Sequence, residues 1–388
     1  MLSKKFQFLY LLGFLSMVSC AQSPLPAADQ TNLYFHLLKD KQIGIVANQT
    51  SRIANIHLVD SLINAGFHLK KVFAPEHGFR GDAEAGAYIQ NGIDSKTGLP
   101  LISLHGKNKK PSSENLKGID ILIFDIQDVG VRFYTYISTL TYVMEACAEN
   151  NIPLLILDRP NPNANYVDGP ILEKEFQSFI GLFPIPIVHG MTLGEMAQMI
   201  NGEGWLKNRI KCELKIIPVK NYNHKMRYAV PIAPSPNLPN DNAIALYPSL
   251  CFFEGTPLSI GRGTEFPFEV IGYPQYTDKD FSFLPESIKG KSEHPKFENQ
   301  VCYGVDLRDF SLKNERPHKI NLNYIIEFYS TYPDKDQFFT SFFNLLAGNN
   351  KLQEQIKSGK TEKEIRKSWE PELNNFKLKR KKYLLYAD

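Results

Sequence analysis

From Gln42 onward, short apolar runs alternate with longer amphipathic ones, which is the pattern of βαβ units feeding a mostly parallel sheet. Runs 43–47, 69–74, 119–124, 152–157 and 214–219 read as buried strands. Helices are expected over 56–65, 137–149 and about 192–201, the last opened by Thr192 and Glu195 as a capping box. A long polar stretch, 79–118, is broken only by the apolar run 101–104, and such a stretch inside a compact domain is usually functional or mobile. After about Asn223 the pattern changes. Prolines at 231, 234, 236 and 239 precede short strands mixed with helices near 322–329 and 340–346. The reading is an α/β fold in two parts, 39–222 and 223–388.

The polar residues that end the strands matter most. The apolar run 72–74 gives way to Pro75-Glu-His-Gly-Phe-Arg-Gly-Asp82, where proline stops the ladder and two glycines permit a tight loop. Three further strands end in Asn48, in Asp125 with Gln127 and Asp128, and in Asp158 with Arg159. Parallel strands place those ends on one edge, so the groups converge on one crevice, where open α/β sheets hold their sites. Asn48 and Asp128 serve equally well as helix caps, and capping is also the favoured role for Glu195. Carboxyl groups beside Phe79, Tyr134, Tyr136 and Phe268 suit a sugar, since carboxyls move protons and aromatic faces stack on pyranose rings.

Composition narrows the class. The chain has 388 residues, 43% hydrophobic and 22% charged, with a net charge of +3, and so carries no electrostatic footprint for nucleic acid. No G-x-G-x-x-G follows the first strand, and neither a Walker A loop nor a G-x-S-x-G elbow is present, so no nucleotide cofactor is expected. His77, His105 and His189 are irregularly spaced and lack an H-E-x-x-H pattern, so the expected site is metal-free. Cys147, Cys212, Cys251 and Cys302 form no C-x-x-C pair, and Cys147 and Cys251 sit in apolar contexts as buried thiols. The basic run from Lys377 to Tyr383 reads as solvated surface, with an anion or a membrane surface as the lesser alternative.

Residues 1–20 have the form of a secretory leader: Lys4 and Lys5, an apolar run to Val18, then Ser19 and Cys20. That ending resembles the lipobox of bacterial lipoproteins, with Cys20 as the acylated residue and 21–38 as a polar tether. It implies a lipid-anchored protein in the cell envelope of a Gram-negative bacterium, on the periplasmic or surface side.

Five motifs occur in order: Pro75-Glu-His-Gly-Phe-Arg-Gly81, the run from Asp125 to Tyr136, Asp158-Arg-Pro-Asn-Pro-Asn163, His189-Gly-Met-Thr192, and Glu254-Gly-Thr256 with Gly261-Arg-Gly-Thr264. With them the chain resembles the NamZ-type exo-β-N-acetylmuramidases over about 39–388. The resemblance implies a Rossmann-like domain, a smaller α+β auxiliary domain and a cleft between them. It also implies release of N-acetylmuramic acid from the non-reducing ends of peptidoglycan fragments or muropeptides, with Glu76 as the catalytic glutamate.

On that reading Glu76 is the general acid and His77 tunes it. Asp125, Asp128 and Asp158 compete for the second role, Asp125 first, and attack by the substrate's own acetamide stays open. Arg80, Arg132, Arg159 and Arg262 are candidates for the lactyl carboxylate of muramic acid, Arg132 and Arg262 favoured. Tyr134, Tyr136, Asn161, His189, Glu254 and Thr264 complete the expected substrate contacts. A muropeptide-binding lipoprotein without turnover and a metal-dependent envelope hydrolase are the rival classes.

Overall fold

The computed structural model describes residues 23–76, 78–80, 91–310 and 316–388. The strands, in chain order, are β1 (Gln42–Ala47), β2 (Arg52–Ile53), β3 (Ile56–His57), β4 (His68–Ala74), β5 (Gly92–Ile93), β6 (Pro100–Ser103), β7 (Ile121–Asp125), β8 (Leu154–Leu157), β9 (Leu214–Ile217), β10 (Val270–Tyr273), β11 (Ser282–Phe283) and β12 (Cys302–Asp306). Seven of them form one sheet in the order β5-β6-β4-β1-β7-β8-β9, parallel except for β5 at one edge. The α/β fold expected from the apolar pattern is present, and the 101–104 run supplies β6 on the outer side of β4.

Each central strand buries both faces, as the continuous apolar runs require. Ile43, Ile45, Ile121, Ile123, Leu155 and Leu157 point into one core. Val46, Phe73, Leu122, Phe124, Leu154 and Ile156 point into the other, which continues without a break into Phe343, Leu346, Trp369 and Phe376 of the C-terminal half. Gly44 is needed on that face, because a Cβ there would lie 2.6 Å from Leu122 Cδ1. In the C-terminal half, β10, β12 and β11 form an antiparallel sheet, and the helices Asn323–Thr331, Ser341–Ala347, Lys351–Lys357 and Glu362–Arg380 follow it in the chain.

Register brings the strand ends together. Ala47 pairs with Asp125, Val46 with Phe73 and Leu157 with Ile217, so Asn48, Glu76, Asp128 and Asp158 all leave the same edge of the sheet. Asp128 folds back onto its own loop, its Oδ2 accepting from Gly130 N at 2.6 Å.

The expected tether, 21–38, is a different matter. Leu25 bridges Lys220, Ala27 N donates to Asp158 O at 3.0 Å, and Ala28, Tyr34 and Leu38 are fully buried. Two alanines, a tyrosine and a leucine supply enough apolar surface to pack, so this segment belongs to the fold from Leu25 onward. The chain's other end closes on the same region. Tyr386 donates to Asp158 Oδ2 at 2.6 Å and accepts from Val219 N at 2.9 Å, while Glu195, besides capping its own helix, accepts from Leu385 N and Tyr386 N.

Two outcomes follow from these contacts. Tyr386→Phe should lower stability by about 1–3 kcal/mol in urea titration, since both buried partners lose their hydrogen bond; a loss under about 0.5 kcal/mol would show that the tail is not fastened this way. Burial pushes Asp128 up to about 7, against the backbone N–H groups of Gly130 and Val129 that favour the charged form. The folded value lies above the unfolded one, so the stability tied to this group is present at low pH and lost as the pH rises through about 7. Asp128→Asn keeps an acceptor for Gly130 and should therefore gain melting temperature on the wild type as the pH rises from about 4 to 7; parallel curves would contradict this.

Candidate active site

A cleft of about 730 Å³ opens where the sheet's carboxyl edge meets the C-terminal half. Glu76, Phe133, Tyr134, Thr135, Tyr136 and Ile180 line it from one side, and Tyr247, Cys251, Glu254, Arg262, Phe268, Phe342 and Leu346 from the other. The 231–239 proline segment contributes Ser235, Asn237 and Leu238.

Glu76 is presented by the abrupt end of β4. Pro75 O accepts from Gly78 N at 3.1 Å, and Gly78 adopts a φ of 79°, which a side chain would strain. The carboxylate of Glu76 accepts from Thr135 Oγ1 at 2.9 Å. Thr135 is the N-cap of the helix Tyr136–Glu149, and its hydroxyl makes no capping bond to that helix. It is directed at the glutamate instead, which also brings the carboxyl to the positive end of the helix dipole. Tyr134 and Tyr136 flank it, edge to face with centroids 5.0 Å apart, their hydroxyls donating to Pro234 O. Tyr247 and Phe268 continue the aromatic wall, 4.9 Å apart.

The opposite wall carries a second carboxyl. Glu254 lies on the 3₁₀ turn Cys251–Gly255, and its Oε1 accepts from Arg262 Nε at 2.5 Å. Lys296 fixes the turn from beneath, its Nζ donating to the carbonyls of Phe253, Glu254, Thr256 and Leu258. Arg262 projects from a sharply bent loop in which Gly261 and Gly263 have φ of 78° and 82°. A Cβ on Gly261 would lie 2.7 Å from Val270, and one on Gly263 2.6 Å from Glu286 O. The guanidinium rests over the Phe268 ring at 5.2 Å. Its two Nη groups have no hydrogen-bond partner among the described residues.

Of the residues expected to meet substrate, Glu76, Tyr134, Tyr136, Glu254 and Arg262 line the cleft. The others are placed elsewhere. Asp125 has no exposed surface, and both its oxygens are held by Arg159, at 2.5 Å from Nε and 2.9 Å from Nη2. Arg80 forks onto Asp94 at 3.0 and 2.8 Å. Arg132, favoured for the lactyl group, is buried, and donates to the carbonyls of Pro170, Ile185, Leu346 and Ala347. Burial lowers it to about 9.

Asp158 is raised to about 6, mainly by burial, and accepts from Tyr386, Thr192 and Gly194. Asn161 ties Met191 O to Asn163 N, and Asp128 closes its own turn. His189 is wholly buried, lowered to about 3 first by that burial and then by Arg380 and Arg132. Thr264 closes the arginine loop through Gly261 O at 2.6 Å. His77 lies outside the described residues, as do Cys20 and the leader. Among the described residues, no three histidines, cysteines or carboxylates are grouped to hold a metal ion.

The sequence did not single out Thr135, Phe133, Tyr247, Phe342 or Lys296. Thr135 alone had a signal, as the polar position inside the Phe133–Tyr136 aromatic run.

Comparison with known proteins gives the family and the fold. The family model described as exo-beta-N-acetylmuramidase NamZ, N-terminal, matches residues 43–242, and its C-terminal counterpart matches 245–386. A peptidoglycan beta-N-acetylmuramidase NamZ from Bacillus subtilis is 41% identical over 373 residues, covering 91% of this chain and 89% of its own. Two DUF1343 family proteins from Bacteroides fragilis have crystal structures of the same fold. One is 48% identical with a TM-score of 0.87, over 95% of this chain and all of that one. The other is 28% identical with a TM-score of 0.81, over 94% of this chain and 99% of that one. The chain belongs to the NamZ exo-β-N-acetylmuramidase family.

Proposed function

We propose that this protein is a glycoside hydrolase that removes terminal non-reducing N-acetylmuramic acid from peptidoglycan fragments. The observation that carries the reading is the cleft itself: Glu76 held by Thr135 on one wall, and Glu254 with Arg262 on the other. Glu76 gives its proton to the glycosidic oxygen as the C1–O bond breaks. Tyr134, Tyr136, Tyr247 and Phe268 offer the apolar faces against which the ring sits. Glu254 takes the second carboxyl role in place of Asp125, whose oxygens are spent on Arg159. Arg262 uses only Nε on Glu254 and turns its Nη groups to the lactyl carboxylate, the feature that separates muramic acid from glucosamine.

The leader and Cys20 support a lipid-anchored protein of a Gram-negative envelope, periplasmic or at the surface, which acts where muropeptides are released. Mass spectrometry of protein purified from membranes should find Cys20 as an acylated first residue; a free or internal Cys20 refutes the anchor.

Two leaving groups separate acid catalysis from mere binding. Glu76→Gln should slow hydrolysis of the muramic acid–glucosamine disaccharide by about 10²- to 10⁴-fold. The loss should be much smaller for the para-nitrophenyl glycoside, because nitrophenolate departs without a proton. Equal losses on both substrates would remove Glu76 from the acid role. Full activity in the variant would leave a different catalyst, and sensitivity of the wild type to EDTA would favour the metal-dependent class. Arg262→Ala should lower the preference for muramic acid over glucosamine substrates by about 10- to 100-fold, the worth of one charge-assisted hydrogen-bonded pair, on top of a loss common to both substrates from releasing Glu254; unchanged selectivity contradicts the assignment.

A further inference from the structure

The basic run at the end of the chain plays no part in the cleft. Its end, Lys382 to Leu385, lies beside the edge strand β9, and Lys377 lines a neighbouring groove with Glu362 and Glu370. Lys377, Lys381 and Lys382 end the last helix and its 3₁₀ extension, and Lys211, Lys215 and Lys220 lie on and around β9; all six are exposed. None of the six side-chain amines has a hydrogen-bond or ion-pair partner among the described residues, although Lys382 lies within electrostatic reach of Glu203.

The nearby acids are largely occupied. Glu203 is held by Lys379 at 2.9 Å and by Tyr383, and Asp388 by Arg380 and His224, which leaves the exposed Glu213 and, in the groove with Lys377, Glu370. Two of the molecule's exposed large apolar residues lie at the same edge, Leu25 at 37% and Leu385 at 41% exposure, and Leu378 on the last helix is 64% exposed. Between β9 and the tail runs an open groove of about 1020 Å³, lined by Lys211, Leu214, Ile216, Lys382, Tyr383 and Leu385.

The beginning of the fold is here too. Leu25 pairs with Lys220 through two backbone hydrogen bonds, of 2.9 and 3.0 Å. It lies five positions after Cys20, a span that full extension limits to roughly 18 Å. Anything attached at Cys20 is therefore tied to this edge.

We propose that the β9 edge and the end of the last helix form a docking face for an anionic phospholipid surface. The proposal takes the acylated Cys20 of the preceding section as the anchor that keeps this face near the bilayer. Clustered lysines beside exposed leucines match an interface where headgroups are charged and acyl chains are shallow. Among the described residues no helix is long and apolar enough to cross a membrane, so the contact is peripheral. Tethering raises the effective concentration of the lipid, which lets a modest patch set the orientation. Four strand spacings separate β9 from β4, so Glu76 stands about 19 Å from the docking edge and stays accessible to glycan.

The test uses protein purified from membranes, with the mass of the Cys20 peptide read first, so that failure of the anchor is seen separately. The protein is then placed in phosphatidylcholine vesicles with or without phosphatidylglycerol, and acetylation of each lysine is followed by peptide mass spectrometry. Lys377, Lys381 and Lys382 should react about tenfold more slowly on the anionic vesicles and recover at high salt, while the distant exposed Lys357 is unchanged. Equal reactivity in both vesicles overturns the proposal. So does protection by soluble muropeptides without lipid, which would assign the face to an acidic glycan.

If Cys20 proves unacylated, co-sedimentation of the purified chain with the same vesicles decides instead. Changing the three helix-end lysines to Glu should weaken that association by roughly a hundredfold or more, at about fivefold per cationic side chain lost. Turnover of soluble disaccharide should not change in that variant. Binding that is indifferent to the three changes sinks the docking face.

Discussion

The guanidinium of Arg132 holds the two halves of the molecule to each other. On one side its Nη1 donates to Pro170 O and Ile185 O at 2.9 and 2.8 Å, and on the other its Nη2 donates to Leu346 O and Ala347 O at 2.9 and 2.8 Å. The last two carbonyls end the helix Ser341–Ala347, where the helix dipole favours a cation. No carboxylate is among these partners, so the buried charge is balanced by peptide dipoles. Gly348 is required beside it, because a Cβ there would lie 2.6 Å from Arg132 Nη2. Leu346 lines the cleft, and Arg132 belongs to the same loop as Thr135, so one side chain sets the spacing of both walls.

From this join the site follows in order. The sheet delivers Glu76 at the end of β4, and the helix after β7 delivers Thr135 to orient it. The C-terminal half brings Glu254 and Arg262 across the gap, on a turn held by Lys296 and a loop closed by Thr264. The aromatic residues fill the space between. Neither half forms the cleft alone, which is why Glu76 and Arg262, proposed as the acid and the selectivity residue, come from different halves of the chain.

Much of this was legible in the sequence. Continuous apolar runs marked the strands, because strands buried on both faces leave no alternation to blur the signal. Glu76 stood out because proline and glycine around it forbid regular structure. The Thr192–Glu195 capping box is present as expected, since capping depends only on neighbours along the chain.

What the sequence hid depends on distant partners. Asp125 looks catalytic at a strand end until Arg159, thirty-four residues on, fills its carboxylate. Arg132 looks like an anion receptor, but its partners are backbone carbonyls up to 215 residues away, which no side-chain pattern encodes. The helix Glu362–Arg380 escaped because its apolar stripe of Ile365, Trp369, Leu373 and Phe376 is narrow and crowded by charge. The segment 25–38 looks like a tether for the opposite reason: only a few of its residues are apolar, yet Ala27, Ala28, Tyr34 and Leu38 suffice to pack it.

The most direct test of the catalytic assignment is a crystal structure of the Glu76→Gln protein with a muramic acid–glucosamine disaccharide bound. The account requires the glycosidic oxygen about 3 Å from the residue 76 side chain and the lactyl carboxylate within hydrogen-bonding distance of the Arg262 Nη groups. A sugar seated against Asp125 or Asp158, or a lactyl group facing away from Arg262, would contradict it.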